Sequence, residues 1–125
     1  MSRRWLLFPR NTIPFVSVRI GISRYLAMVD TGAHISMISP ELAIRLGLPQ
    51  RGLQPIISVH GNTINRPLVT LPPLGFAEVE LAPCRAVISE LSPIKPRLDL
   101  PLGVNIFASR RLHIDFGEGR LYLMG

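Results

Sequence analysis

Apolar and polar residues alternate along much of this chain with the period of a half-buried β-strand. Val16, Val18 and Ile20 are separated by Ser17 and Arg19, and Leu112, Ile114 and Phe116 by His113 and Asp115. Each segment therefore turns one face to a core and the other to water. Ala77, Val79 and Leu81 alternate in the same way with Glu78 and Glu80, which predicts one strand across 77–81. Shorter apolar runs mark further strands: Tyr25-Leu26-Ala27-Met28-Val29, Ile35-Ser36-Met37-Ile38, Arg85-Ala86-Val87-Ile88 and Arg120-Leu121-Tyr122-Leu123. Gly21-Ile22-Ser23 and Gly117-Glu118-Gly119 supply turns between them. Ile56-Ile57-Ser58-Val59-His60 and Thr63-Ile64-Asn65-Arg66 flank Gly61-Asn62, a dipeptide suited to a two-residue hairpin turn.

One segment carries helix signals instead. Ser39 is a good N-cap, Pro40 fits the first helical position, Glu41 suits the positive end of the helix dipole, and Gly47 can stop the helix after Leu46. With 12 prolines and 10 glycines spread throughout, the pattern predicts an all-β domain with at most two short helices. The 125 residues, 47% of them apolar, hold enough material for one core and not for two, so residues 1–125 are expected to form a single domain.

Charge narrows the function classes. The formal net charge is +6, from 14 basic and 8 acidic residues, and 13 of the basic ones are Arg. That excess favours anionic surfaces or acidic substrates. The arginines are scattered, with doublets only at Arg3-Arg4 and Arg110-Arg111, and aromatic residues make up 6% of the chain, few for base stacking. A nucleic-acid partner is not expected on that basis. Cys84 is the single cysteine, so no intrachain disulfide can form, and it lacks the clustered partners of a metal site. It reads as a small buried residue on a strand. No apolar stretch is long enough to span a bilayer. Arg3-Arg4-Trp5-Leu6-Leu7-Phe8 begins like an export signal but is cut off by Pro9-Arg10-Asn11. A soluble, cytoplasmic protein is the expectation.

The candidate chemistry lies in Asp30-Thr31-Gly32-Ala33, between two apolar runs. A lone carboxylate there is held in a poorly solvated turn, where its charge is costly unless hydrogen bonded or shared with a proton. That is the environment of a catalytic acid. Asp-x-Gly also suits an ordinary tight turn, and the four residues alone leave both readings open. A second element, Leu100-Pro101-Leu102-Gly103-Val104-Asn105-Ile106-Phe107, shifts the balance. The pair resembles the retropepsin-like aspartic proteases, whose signature is an apolar-apolar-Asp-Thr/Ser-Gly-Ala loop followed, some tens of residues later, by an apolar-apolar-Gly segment opening a short helix. The resemblance runs from about Ile13 to Leu123.

The resemblance implies a closed barrel or sandwich of short strands with one or two short helices, acting as a symmetric homodimer. Hydrolysis by two carboxyl groups requires them to share one proton, one acting as base toward water and the other as acid toward the carbonyl oxygen. The chain has three aspartates, Asp30, Asp99 and Asp115, and the first alone lies in such a loop. Asp115-Phe116-Gly117 echoes it but lacks the Thr/Ser and reads as a turn. One subunit would thus give half an active site, with Asp30 of each copy across a twofold axis.

By the same resemblance Thr31 would bond across that axis, Gly32 would let the backbone approach the substrate with its amide free, and Ala33 would keep the loop thin. Leu102 and Gly103 would support the loop from beneath, where a larger residue would collide. Val59, His60, Gly61, Asn62 and Ile64 match the flap that closes over a polypeptide substrate. Val59, Ile64 and Leu100 are expected to line apolar subsites, and no metal or other cofactor is implied. The apolar ends, Trp5-Leu6-Leu7-Phe8 and Leu121-Tyr122-Leu123-Met124, suit either a sheet shared between subunits or docking onto their own core.

Two positions depart from the viral pattern, which places Asp after the Asp-Thr-Gly-Ala run and a pairing Arg after the later Gly. Here they are His34 and Val104. Both partners are absent together, so no buried charge is stranded. This favours a cellular or bacterial relative. His34 reads as a partly exposed structural histidine, with substrate binding or a pH response as the alternative, and His60 as a solvated turn residue. Two other classes stay open: a catalytically silent retropepsin-fold module that binds peptides or dimerises, and a small basic barrel of the oligonucleotide-binding kind.

Overall fold

A computed structural model describes residues 5–58, 60–91, 98–108 and 110–124. The described residues form three sheets with one α-helix and one 3₁₀ turn, so the expected all-β class holds. Strands β2 (Phe15–Ile20) and β3 (Ser23–Val29) make a hairpin in which Ile20 faces Ser23 and Gly21 takes the left-handed conformation at φ +61°. The predicted alternation is obeyed, with Val16, Val18 and Ile20 all buried and Ser17 exposed.

Beyond Val29 the chain passes from one sheet to another. The short strand β4 (Ser36–Ile38) runs parallel to β9 (Cys84–Ile88), which is antiparallel to β6 (Thr63–Leu71), itself paired with the edge strand β5 (Leu53–Ile57). Pro55 is tolerated because β5 is an edge. Pro67 falls just before β6 gains its second neighbour at Leu68, so its missing N–H breaks no central ladder. Back in the first sheet, β10 (Leu100–Leu102) lies parallel to β3, with Leu102 beside Val29, while β7 (Leu74–Phe76) and β8 (Val79–Leu81) extend the other side. Between β4 and β5 stands α1 (Pro40–Arg45). Ser39 Oγ accepts from the Leu42 N–H at 3.2 Å and Gly47 turns the chain away at φ +64°, the caps read from sequence.

Ile38, Leu42, Leu71, Leu74, Phe76, Leu81, Leu100 and Leu102 fill the space between the sheets, each almost wholly removed from water. Phe76 meets Phe107 edge to face at 5.3 Å.

The chain ends pair with each other. Strand β1 (Leu6–Leu7) is antiparallel to β12 (Arg120–Met124), which is antiparallel to β11 (Arg111–Asp115). The Trp5 ring abuts Tyr122 edge-on at 4.5 Å, His113 stacks on the Tyr122 ring at 4.8 Å, and the Arg120 guanidinium sits 4.2 Å from the Trp5 ring centre. Within the single chain these apolar ends pair with each other, and Leu121 is buried against the core.

Three local expectations are corrected. Residues 77–81 are not one strand, because Ala77 and Glu78 form a hairpin turn between β7 and β8 with Ala77 at φ +58°. The strand before the second hairpin is Leu53–Ile57, not 56–60. Its turn is longer than Gly61-Asn62: the Ser58 N–H donates to the Asn62 carbonyl at 2.8 Å, and the Gly61 N–H to the Ser58 carbonyl at 3.0 Å. Gly61, at φ +82°, absorbs the extra residue as glycine does in a bulged hairpin. Finally, Phe116 belongs to the turn after β11 and is half exposed instead of continuing that strand inward.

Candidate functional site

Residues 30–35 bridge the two larger sheets, and their backbone is tied down at both ends. The Asp30 N–H donates to the Leu102 carbonyl at 2.9 Å, and the Val104 N–H donates to the Ala33 carbonyl at 2.8 Å. The Ala33 N–H closes the turn on the Asp30 carbonyl at 3.2 Å. A Cβ added to Gly103 would lie 2.7–2.8 Å from backbone atoms of Ile35 and Ala33, closer than real contacts allow. Leu102 is fully buried beneath the loop.

Two residues given no role from sequence complete this support. Ser36 is fully buried; its N–H and Oγ both donate to Asn105 Oδ1, at 2.8 and 2.9 Å, and its Oγ accepts the Gly103 N–H at 2.9 Å. Asn105 Nδ2 reaches the Arg85 carbonyl of β9 at 2.6 Å. One amide and one hydroxyl thus join the loop, the 3₁₀ turn (Val104–Phe107) and β9. The signal was present as polar residues inside apolar runs, Ser36 in 35–38 and Asn105 in 100–107, but their pairing spans 69 positions.

Asp30 itself is half-buried, and Thr31, Gly32 and His34 are exposed. The Asp30 Oδ1 accepts the Gly32 N–H at 3.1 Å, so that amide is not free as expected but holds the carboxylate in place. A Cβ on Gly32 would meet only that Oδ1, at an ordinary 3.4 Å. Nothing within the chain requires glycine there.

The other aspartates are engaged elsewhere. Asp99 accepts from Ser39 Oγ at 2.8 Å beside the helix cap, and Asp115 Oδ1 accepts the Glu118 N–H at 3.0 Å, capping its own turn. Val104 is exposed and His34 lies on the loop surface, so neither departure from the viral pair leaves a buried charge. Burial pushes the Cys84 thiol up to about 11, which keeps it neutral and unreactive at ordinary pH.

Two hollows flank the loop. One, of about 660 Å³, is lined by residues 11–14, 28–31 and Phe116, and so includes Asp30 and Thr31. The second, of about 450 Å³, lies between Gly32–Met37 on one side and residues 54–57 of β5 on the other. Strand β5 thus faces the loop across this hollow. His60, Gly61 and Asn62 stand exposed at the tip of the β5–β6 hairpin, Ile64 is half-buried on its inner face, and Val59 lies outside the described residues. Leu100, on β10 beside β3, is fully buried and cannot line a subsite, correcting that expectation. Among the described residues no group of three or more His, Cys, Asp or Glu side chains could hold a metal ion.

Comparison with known proteins bears on this geometry. Residues 16–106 match the family model described as aspartyl protease, a span that includes both the Asp30 loop and its Leu102-Gly103 support. The fold is similar to a retropepsin-like aspartic protease from Rickettsia conorii, with a TM-score of 0.70 at 16% identity over 98% of this chain and 89% of that one. It is also similar to the retroviral protease-like domain of Ddi1 from Leishmania major, with a TM-score of 0.56 at 20% identity over 91% of this chain and 94% of that one. No curated protein matches the chain.

Proposed function

Because the chain belongs to the aspartyl protease family and has a retropepsin-like fold, we propose that it is an endopeptidase whose catalytic pair is Asp30 from each of two copies. The observation that carries this reading is the position of Asp30. It is the one aspartate among the three held at the junction of the two sheets with its carboxylate open to a hollow, while Asp99 and Asp115 serve a helix cap and a turn. A single carboxyl cannot act as base toward water and acid toward the carbonyl oxygen in one step, so a second copy must supply the other.

In the proposed dimer the two Asp30 groups share one proton, because like charges a few ångströms apart cannot both ionise. The ionised member takes a proton from water as it attacks the peptide carbon, and the protonated member gives its proton to the carbonyl oxygen. Thr31, exposed in the single chain, braces the two loops against each other. Glycine at 32 finds its reason outside the chain, in a substrate strand lying against the loop. The β5–β6 hairpin acts as the flap, with His60, Gly61 and Asn62 at its tip and Ile56 and Ile64 facing inward, and its closure removes water from the bond under attack. Polypeptides are the substrate class. No helix among the described residues is long and apolar enough to cross a membrane.

The test is cleavage of an unstructured protein by wild type and Asp30→Asn over a dilution series. Activity is expected to vanish in the variant, to fall with the square of concentration at high dilution, and to be blocked by a statine-type inhibitor whose hydroxyl mimics the tetrahedral intermediate. Hydrolysis that survives the substitution overturns the mechanism. A wild type that binds the inhibitor yet cleaves nothing points instead to a silent peptide-binding module.

A further inference from the structure

The hollow on the hairpin side of the loop has an uneven lining. Ala33, Ile35, Met37 and Ile56 make it apolar, His34 and Gln54 are its polar side chains, and no Asp or Glu borders it. Along β5 and β6 the side chains alternate in burial: Gln54, Ile56, Ile64 and Arg66 are half-buried, and the residues between them exposed. Ile56 stands directly opposite Ile64, and Gln54 directly opposite Arg66. The inward face of the hairpin thus carries an apolar pair toward its tip and a polar, cationic pair nearer its base.

Arg66 is unspent there. Its Nε is shielded from water and has no hydrogen-bond partner, while Glu118 pairs with Arg10 and Glu80 with Arg19. A donor out of water without a partner is costly, and a guanidinium offers a planar fork of donors that matches a carboxylate. Gln54 Nε2 bonds only the neighbouring Pro55 carbonyl, at a long 3.3 Å, and is free to turn toward a guest.

We infer that this hollow is a subsite for an acidic side chain of the polypeptide substrate, lined by Gln54 and His34, with Arg66 as the charge partner reaching it from its margin, across the strand pair from Gln54. The inference rests on the peptide-binding cleft proposed above. The apolar lining takes up methylene groups before the charge is met, so glutamate is preferred over aspartate. The position served is not one of those flanking the cut bond, where the tip pair of Ile56 and Ile64 favours apolar side chains. The chain's net charge of +6 steers acidic peptides toward the cleft.

The experiment measures equilibrium binding of labelled peptides of one parent sequence, with Glu, Gln or Lys walked through successive positions. The proteins are wild type, Arg66→Gln, Arg66→Lys and Gln54→Glu, with cleavage rates read in parallel. At one position Glu is expected to bind about tenfold more tightly than Gln, a preference weakened by salt. Arg66→Gln is expected to bring that ratio close to one, and Arg66→Lys to keep part of it. Gln54→Glu places a carboxylate opposite Arg66 and is expected to abolish the preference by occupying it from within. Equal binding of Glu and Gln peptides at every position overturns the inference, as does a preference that Arg66→Gln leaves intact or an absence of peptide binding. Because binding needs no hydrolysis, a protein that shows the preference but cleaves nothing upholds the subsite and removes only the catalytic reading.

Discussion

The chain contains two turns of nearly identical local design. In Asp30-Thr31-Gly32 the aspartate Oδ1 accepts a backbone N–H two residues on at 3.1 Å, and in Asp115-Phe116-Gly117 it accepts one three residues on at 3.0 Å. A Cβ on the glycine would meet that same oxygen at 3.4 Å in the first and 3.6 Å in the second. What differs is the ground behind them. The first turn is seated on Leu102 and Gly103, hydrogen bonded to β10 and to the 3₁₀ turn and backed by the Ser36–Asn105 link, and it brings its aspartate to the larger hollow, to which the second turn contributes only Phe116. The second ends an outer hairpin, with Phe116 half exposed against Phe8. An Asp-x-Gly turn becomes a candidate for chemistry through its support, since a reacting group must be held to a fraction of an ångström.

The contrast can be tested from its strongest consequence downward. Asp30→Asn is expected to lower peptide hydrolysis by at least about a thousandfold, whereas Asp115→Asn leaves the turnover rate close to wild type in the same assay. Gly103→Ala forces a methyl group against backbone that cannot yield and should cost about 3 kcal/mol of stability in denaturant titrations; Gly117→Ala should stay within about 0.5 kcal/mol. Ser36→Ala strands the Gly103 N–H and weakens the hold on Asn105, so a loss of about 2 kcal/mol is expected by thermal or chemical unfolding. Smallest is Asp115→Ala, where water can replace the carboxylate at the Glu118 amide, at about 0.5 kcal/mol. A Gly103→Ala protein as stable as Gly117→Ala would erase the distinction between the two turns.

These differences explain what could be read in the sequence and what could not. The β2 strand, the Ser39 and Gly47 caps and the Asp30 loop were legible because each is specified by neighbours in the chain, through period, capping oxygen or glycine. The turn at Ala77 was not, because Ala77, Val79 and Leu81 continue an alternating pattern and no Gly or Asn marks the left-handed residue. The closure of the β5–β6 hairpin was misread because Gly61-Asn62 is a good two-residue turn, yet Ser58 to Asn62 completes a longer one. The parallel pairings of β3 with β10 and β4 with β9, and with them the roles of Ser36 and Asn105, depend on contacts across the fold that no local rule encodes. Of the candidate site, the carboxylate and its glycine support were visible, but the clamp that holds them was not.

The clamp beneath the loop is made only of groups that carry no net charge: a hydroxyl, a carboxamide and peptide N–H and C=O groups. Acidification therefore finds nothing in it to protonate, and concentrated electrolyte finds no ion pair to dissolve. Whatever proton traffic occurs at Asp30 proceeds on a foundation indifferent to it.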